Sequence, residues 1–205
     1  MSKLYVNEIA PKSGNDVTVT GLVHRPAGSI IEVLTGVCNG GSQTVQSGTY
    51  TFPDVTAVQI LNTSYADVTG SNISYTPPTG TTRVKYELEM KIKAQGYSGI
   101  SHYRFYIDGV EVTAARSTRA HTYSSSNQGC LVQSFSWIID CNASSASAAD
   151  GTFTSWTTAK ALKWQARNYD TGYLMRLHLN NWWDGGSATG TTNIDVPKLT
   201  ITSYA

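Results

Sequence analysis

Residues Arg83 to Lys93 read RVKYELEMKIK, with Val84, Tyr86, Leu88, Met90 and Ile92 on one parity and only charged side chains on the other. Successive side chains of a β-strand point to opposite faces, so this is one long strand with an apolar face and a wet face. At roughly 3.3 Å per residue it runs about 35 Å, longer than the usual globular strand. Burying five such side chains gives about 8–15 kcal/mol gross, and ordering the backbone costs a similar amount at about 1–2 kcal/mol per residue. The strand cannot stand alone. Its apolar face needs a second sheet, which sets the expectation of an all-β, two-layer domain.

Outward from this strand, the chain alternates short β-like runs with turn clusters. Upstream, residues 29–34, 55–61, 65–68 and 72–75 read as strands, Gly36 to Gly41 as a Gly-rich turn, and Pro77-Pro78-Thr79-Gly80 as the turn that launches the long strand. Downstream, residues 101–107 and 110–113 flank Asp108-Gly109, a strong hairpin signal because Gly supplies the positive φ of a type I′ turn. Residues 114–128 are polar and irregular and read as a long surface loop. Residues 130–140, 159–169, 174–179 and 198–203 complete about eight to ten strands. Three turns of 3.6-residue periodicity are found nowhere, so helix is expected to be minor. Strands at this spacing point to a two-sheet antiparallel jelly-roll sandwich.

The chain has 205 residues, enough for one sizeable core, and only 14% of them are charged, against about 25% in typical globular proteins. With a net charge of +1 it lacks the clustered Lys and Arg that nucleic acid or an anionic membrane requires. No apolar run approaches the roughly 18 residues of a membrane span, so neither nucleic-acid binding nor membrane insertion is expected. Cys38, Cys130 and Cys141 form no CxxC pair, and His24, His102, His121 and His178 are scattered, so no metal site or cofactor is expected. The plain reading of the cysteines is reduced thiols, with a Cys130–Cys141 bridge left open.

Catalytic signatures are absent as well. Glu87 and Glu89 share the wet face of the long strand with Lys85 and Lys91, so charge pairing explains them better than acid–base chemistry. Gly96-Tyr97-Ser98-Gly99 lacks the fifth-position Gly of a nucleophile elbow. The chain is read as no enzyme. Two stretches stand out as contact candidates. Asn180, Asn181, Trp182, Trp183 and Asp184 could form a saccharide platform, with indole faces on sugar rings and the amides and carboxylate bonding hydroxyls. The competing reading packs the two tryptophans into the domain end. Arg116, Arg119, His121 and Tyr123 of the expected loop could meet a receptor or a neighbouring protein; a solvated loop is the plainer alternative.

Four blocks in order carry a family resemblance: GSIIEVL from Gly28, TSYADVTGSNISYTPP from Thr63, the long alternating strand, and YRFYIDGVEV from Tyr103. They resemble virion structural proteins of tailed bacteriophages, especially marine ones, whose carboxy-terminal domain is similar to the jelly rolls of complement globular heads and tumour necrosis factor. The final strand, residues 197–204, fits that pattern too, and KLYVNEIAPKSGNDVTVTG is similar to the short leader such proteins carry. NNWWDGG, residues 180–186, has no counterpart in the family pattern.

The resemblance implies a leader over residues 1–27, held to other virion proteins through Leu4, Tyr5, Val6, Ile9, Val17 and Val19, and a jelly roll over residues 28–205. It also implies a homotrimer, a place in the virion after synthesis in the host cytoplasm, and a part in host adsorption through a surface glycan. Aromatic-rich stretches such as Tyr103 to Tyr106 and Trp164 are read as surplus apolar surface for that assembly. A tail-fibre or appendage module leads over a capsid decoration or head-fibre protein. A stand-alone carbohydrate-binding lectin is the alternative of another class, and a depolymerase the third.

Overall fold

The computed structural model describes residues 26–94, 98–122, 130–180 and 194–205. The expected leader, with its six anchoring residues, lies outside them. Within the described residues run thirteen strands and no helix: β1 (Ile30–Val37), β2 (Ser42–Val45), β3 (Gly48–Thr51), β4 (Gln59–Ile60), β5 (Ala66–Asp67), β6 (Ile73–Tyr75), β7 (Arg83–Ala94), β8 (Ser98–Ile107), β9 (Val110–Thr122), β10 (Leu131–Asp140), β11 (Lys160–Asn168), β12 (Met175–Leu177) and β13 (Lys198–Tyr204).

In the first sheet β1, β13, β7 and β10 lie side by side, and β12 with β4 extends it beyond the end of β13. In the second sheet β5 and β6 both pair with β11, followed by β8 and β9. Every named strand pairing is antiparallel. Among the described strands the first thus lies against the last, and the chain changes sheet on entering β5, β7, β8, β10, β11 and β12. That winding is the double Greek key of a jelly roll, as the sequence pattern led one to expect.

The strand at Arg83 is the middle of this arrangement. β13 covers one side of β7 from Arg83 to Glu89, β12 continues that side from Ile92 to Ala94, and β10 runs along the other from Ile92 back to Arg83. Val84, Tyr86, Leu88, Met90 and Ile92 are each at most 1% exposed. They meet the second sheet through rings. Tyr86 lies 5.3 Å from Phe105, Phe105 lies 5.1 Å from Trp164, and Phe135 sits 4.3 Å from Tyr103 and 5.4 Å from Trp164. Tyr103, Phe105 and Trp164 are therefore consumed by the domain's own core, contrary to their reading as surplus surface for assembly. An inward parity on β8 and β11 looks identical in sequence to an unpartnered apolar face; only the opposing sheet distinguishes them.

Other expectations shift at the edges. The Asp108-Gly109 hairpin forms with φ of 54° and 79°, as the turn chemistry demands. The Gly-rich turn begins later than read, because Gly36 belongs to β1: a Cβ there would lie 2.5 Å from the Phe52 ring, so glycine marks a close approach instead of a bend. The β2–β3 hairpin went unassigned in the sequence. Its outer face carries hydroxyl pairs, Ser42 with Thr51 at 2.8 Å and Thr44 with Thr49 at 2.9 Å, while only Val45 and Tyr50 of the other parity pack against the core. None of the cysteines is in a disulfide, and Cys130 and Cys141 flank opposite ends of β10, roughly 35 Å apart at 3.3 Å per residue, which rules out a bridge between them. Burial pushes the Cys38 and Cys141 thiols up to about 12.

The hairpin closes one side of the sandwich through a buried polar knot. Glu32 of β1 is 5% exposed and its carboxyl group accepts three hydrogen bonds, from the Ser47 amide at 2.7 Å, the Ser47 hydroxyl at 2.7 Å and the Tyr75 hydroxyl at 2.7 Å. Tyr75 in turn lies 2.8 Å from the Ser203 hydroxyl of β13, and burial holds its phenol well above the ordinary range, so it stays a donor. Four segments from both sheets and the hairpin meet here. A Tyr75→Phe variant leaves Glu32 one donor short and should lose about 1–3 kcal/mol in urea unfolding; an unchanged midpoint would show that the knot is dispensable. Thiol labelling of the native protein should spare Cys38 and Cys141, while denaturation should expose all three cysteines to the reagent.

Candidate functional site

A cavity of about 610 Å³ opens at the end of the sandwich where Thr82 meets Tyr204. Three turns build its walls: Gln46 and Ser47 between β2 and β3, Thr76 to Thr82 between β6 and β7, and Asn142 with Thr154 to Thr157 between β10 and β11. Its lining is mostly hydroxyls and amides, with two prolines, Cys141 and Trp156, and no charged side chain. Trp156 forms the floor. It is 6% exposed, donates from Nε1 to the Thr158 carbonyl at 2.8 Å, and stands edge-on to Tyr75 at 6.2 Å. Because Tyr75 belongs to the Glu32 knot, the floor is braced from beneath. Such a cleft can hold a neutral, hydroxyl-bearing ligand, and it offers no pair of titratable groups for acid–base chemistry.

Sequence reading missed this cleft. The signals were the Pro-Pro turn and the run Thr152-Phe153-Thr154-Ser155-Trp156-Thr157-Thr158, two segments that become neighbours only through the fold.

The candidates read from sequence lie elsewhere. Asn180 sits beyond β12 at the opposite end, where its Oδ1 accepts a 2.9 Å hydrogen bond from Lys91 Nζ, which also pairs with Asp195 at 3.0 Å. Asn181, Trp182, Trp183, Asp184 and Tyr123 fall outside the described residues. Arg116, Arg119 and His121 are not in a loop: β9 continues to Thr122, paired with β8 from Tyr103 back to Ser98. Here the alternation is real but polar. Inward Arg119 lays its guanidinium 5.3 Å from the Phe135 ring and donates to Gln133 Oε1 at 3.0 Å, doing at the sandwich edge what a Leu would do in its middle. Arg116 points outward to Glu111 at 2.6 Å. The three residues therefore form no common surface, although the end of β9 with His121 and the segment at Asn180 do share one end of the domain.

Carboxylates of the long strand are held by cations of the same sheet, Glu87 by Lys85 at 2.8 Å and Glu89 by Lys198 at 3.1 Å. Among the described residues no group of three His, Cys, Asp or Glu side chains is placed to hold a metal ion.

No protein-family model matches the chain, and no curated protein sequence matches it. Among solved structures it is similar to that of the infectious bursal disease virus Gx strain, with 13% identity and a TM-score of 0.35 over 94% of this chain and 42% of that one. The structure of the Gt strain of the same virus gives 12% identity and a TM-score of 0.23 over 89% of this chain and 59% of that one. The chain thus spans less than two thirds of either. Its fold assignment rests on strand order and register, independent of these likenesses.

His178, two residues before Asn180, is fully buried in the left-handed region at φ 64°. Among the described residues neither ring nitrogen has a partner at full hydrogen-bond geometry, and burial pulls its pKa down to about 4, against weaker opposing effects of the Thr69 backbone and Asp195. The unfolded chain takes up this proton near the ordinary value of about 6.5, so stability is complete above that pH and drains away as pH falls toward 4. The loss approaches about 3 kcal/mol, at roughly 1.4 kcal/mol per unit. Thermal melts between pH 7 and pH 4.5 should show a falling midpoint, and His178→Asn should flatten most of that slope, leaving the smaller part due to His102 and His121, whose pKa values burial also lowers.

Proposed function

We propose that the chain is a non-enzymatic structural protein of a tailed-phage virion, anchored through residues 1–27 and projecting its jelly roll as a homotrimer that takes part in host adsorption. The polarity of the domain carries this reading. Gly28 donates to the Ala205 carbonyl at 2.7 Å, so the jelly roll begins and ends at one pole. The end of β9 and the segment at Asn180 lie at the other, about 40 Å away along β7 at 3.3 Å per residue. A leader joined at the first pole leaves the second facing outward. That arrangement suits a tail-fibre or appendage module; a capsid decoration or head-fibre protein would share it.

The outer face of the first sheet supports assembly. On β7, Lys85, Glu87, Glu89 and Lys91 are already paired within the chain, while Val132 and Ile138 on β10 are 57% and 59% exposed and Val33 and Val37 on β1 are 38% and 42% exposed. Such scattered apolar groups among paired charges are suited to burial between copies. Sedimentation of the full chain should give three chain masses, and Ile138→Glu should reduce it to monomers; a monomeric wild type would refute the trimer. Deleting residues 1–27 should leave particles without the protein while the domain keeps its mass, whereas continued incorporation would remove the anchoring role.

A second reading, a stand-alone lectin, is favoured by the uncharged cleft over Trp156. It requires the protein to bind neutral glycans without its leader and to lose them on Asn142→Ala. Retained binding in that variant would count against it.

A further inference from the structure

The outer face of the second sheet bears a ladder of rings and guanidinium groups that neither the cleft nor the assembly face uses. Arg104 of β8 lies 3.9 Å from the Tyr65 ring centroid, and Arg167 of β11 lies 5.3 Å from the same centroid. One carboxylate serves two of the arginines: Glu111 is 2.6 Å from Arg116 Nε and 3.4 Å from Arg104 Nε. Arg167 donates to the backbone carbonyls of Asn168 at 3.1 Å and Tyr169 at 3.3 Å, and it has no ion pair among the described residues. Arg167 stands opposite His102 across the β8–β11 pairing, and the His102 ring lies 6.0 Å from Tyr169, itself 6.0 Å from Tyr173.

Three guanidinium groups stand against Glu111 and, in the Tyr169–Tyr173 turn, Asp170, leaving this strip with a surplus of one positive charge, on a chain whose net charge is +1. His102 registers that field. After burial, the next causes that lower its pKa are Arg167 and Arg104, and its Nε2 has no hydrogen-bond partner among the described residues. Tyr169 and Tyr173 are 53% and 37% exposed, so ring faces and donors are presented together. Four strands at about 4.8 Å spacing make the strip roughly 14 Å wide, the scale of a short oligosaccharide.

Guanidinium groups bind carboxylates through paired donors, and phenol rings stack against the apolar faces of pyranoses. We propose that this face binds a polysaccharide bearing uronate carboxylates, its charged groups held by Arg104 and Arg167 and its sugar rings lying on Tyr169 and Tyr173. Nucleic acid fits less well, since a surplus of one charge falls short of the six to ten phosphate contacts typical of such binding. The inference goes beyond the virion reading and stands or falls on the purified full chain.

The test is titration with alginate oligomers, beside dextran oligomers, polyglutamate and oligothymidylate of similar length. Alginate should bind, with an affinity that falls as salt rises. The Arg104→Gln/Arg167→Gln double variant should weaken it about tenfold or more, with the melting temperature checked for folding. Tyr169→Ala, an exposed site that leaves the arginines in place, should weaken alginate several-fold and leave polyglutamate unchanged. Failure to bind alginate, equal binding of dextran or oligothymidylate, or equal loss of alginate and polyglutamate in Tyr169→Ala would each overturn the proposal.

Discussion

The two sheets of this domain are joined through the ring cluster between them. Tyr86 and Phe135 project from the first sheet, Tyr103, Phe105 and Trp164 from the second, and the contacts of 4.3–5.4 Å among them set the spacing at which everything else packs. Aromatic side chains carry the largest apolar area per residue, so a few of them can hold two sheets whose surfaces are otherwise built from Ser, Thr and paired charges. Because β7 is hydrogen-bonded along both sides and buries its whole apolar parity, it transmits that constraint to β13, β10 and β12. Loosening the cluster would free the strands that position both poles of the domain.

The two open sides of the sandwich are closed by different chemistry. At the β1–β6 side, the Glu32 knot joins a buried carboxyl group to donors from the hairpin and from β6, which fixes register but requires every partner. At the β9–β10 side, Arg119 spreads over Phe135 and reaches Gln133, a contact that tolerates water. Polar closures of this kind keep sandwich edges from pairing with other chains while leaving the outer faces free to differ. They do differ: the first sheet presents paired charges with scattered valines and an isoleucine, the second a surplus of arginine with exposed tyrosine.

This asymmetry gives the molecule three distinct surfaces on one scaffold. The cleft over Trp156 is neutral and braced, the first sheet's outer face sets scattered apolar groups among paired charges, and the second sheet's outer face sets arginines beside exposed tyrosines. A jelly roll carries such variety easily, because its core uses one parity of each strand and leaves the other unconstrained.

Alternation along residues 83–93 was enough to determine a long two-faced strand, and with the Asp108-Gly109 turn and the spacing of the remaining runs it determined a two-sheet antiparallel sandwich. Those features are local: a period of two and a positive φ are properties of neighbouring residues. What the tertiary structure alone decided was partnership. Residues 114–122 read as loop because their inward positions are Ser117, Arg119 and His121, and only the nearness of Phe135 and the pairing to β8 make a strand of them. Tyr103 and Trp164 read as surplus until the opposing sheet covered them, and the cleft did not exist until residues 46–47, 76–82, 141–142 and 154–157 met. Contacts between residues about a hundred positions apart leave no trace in a local pattern, since the free energy that selects them comes from burial and hydrogen bonding across the finished core.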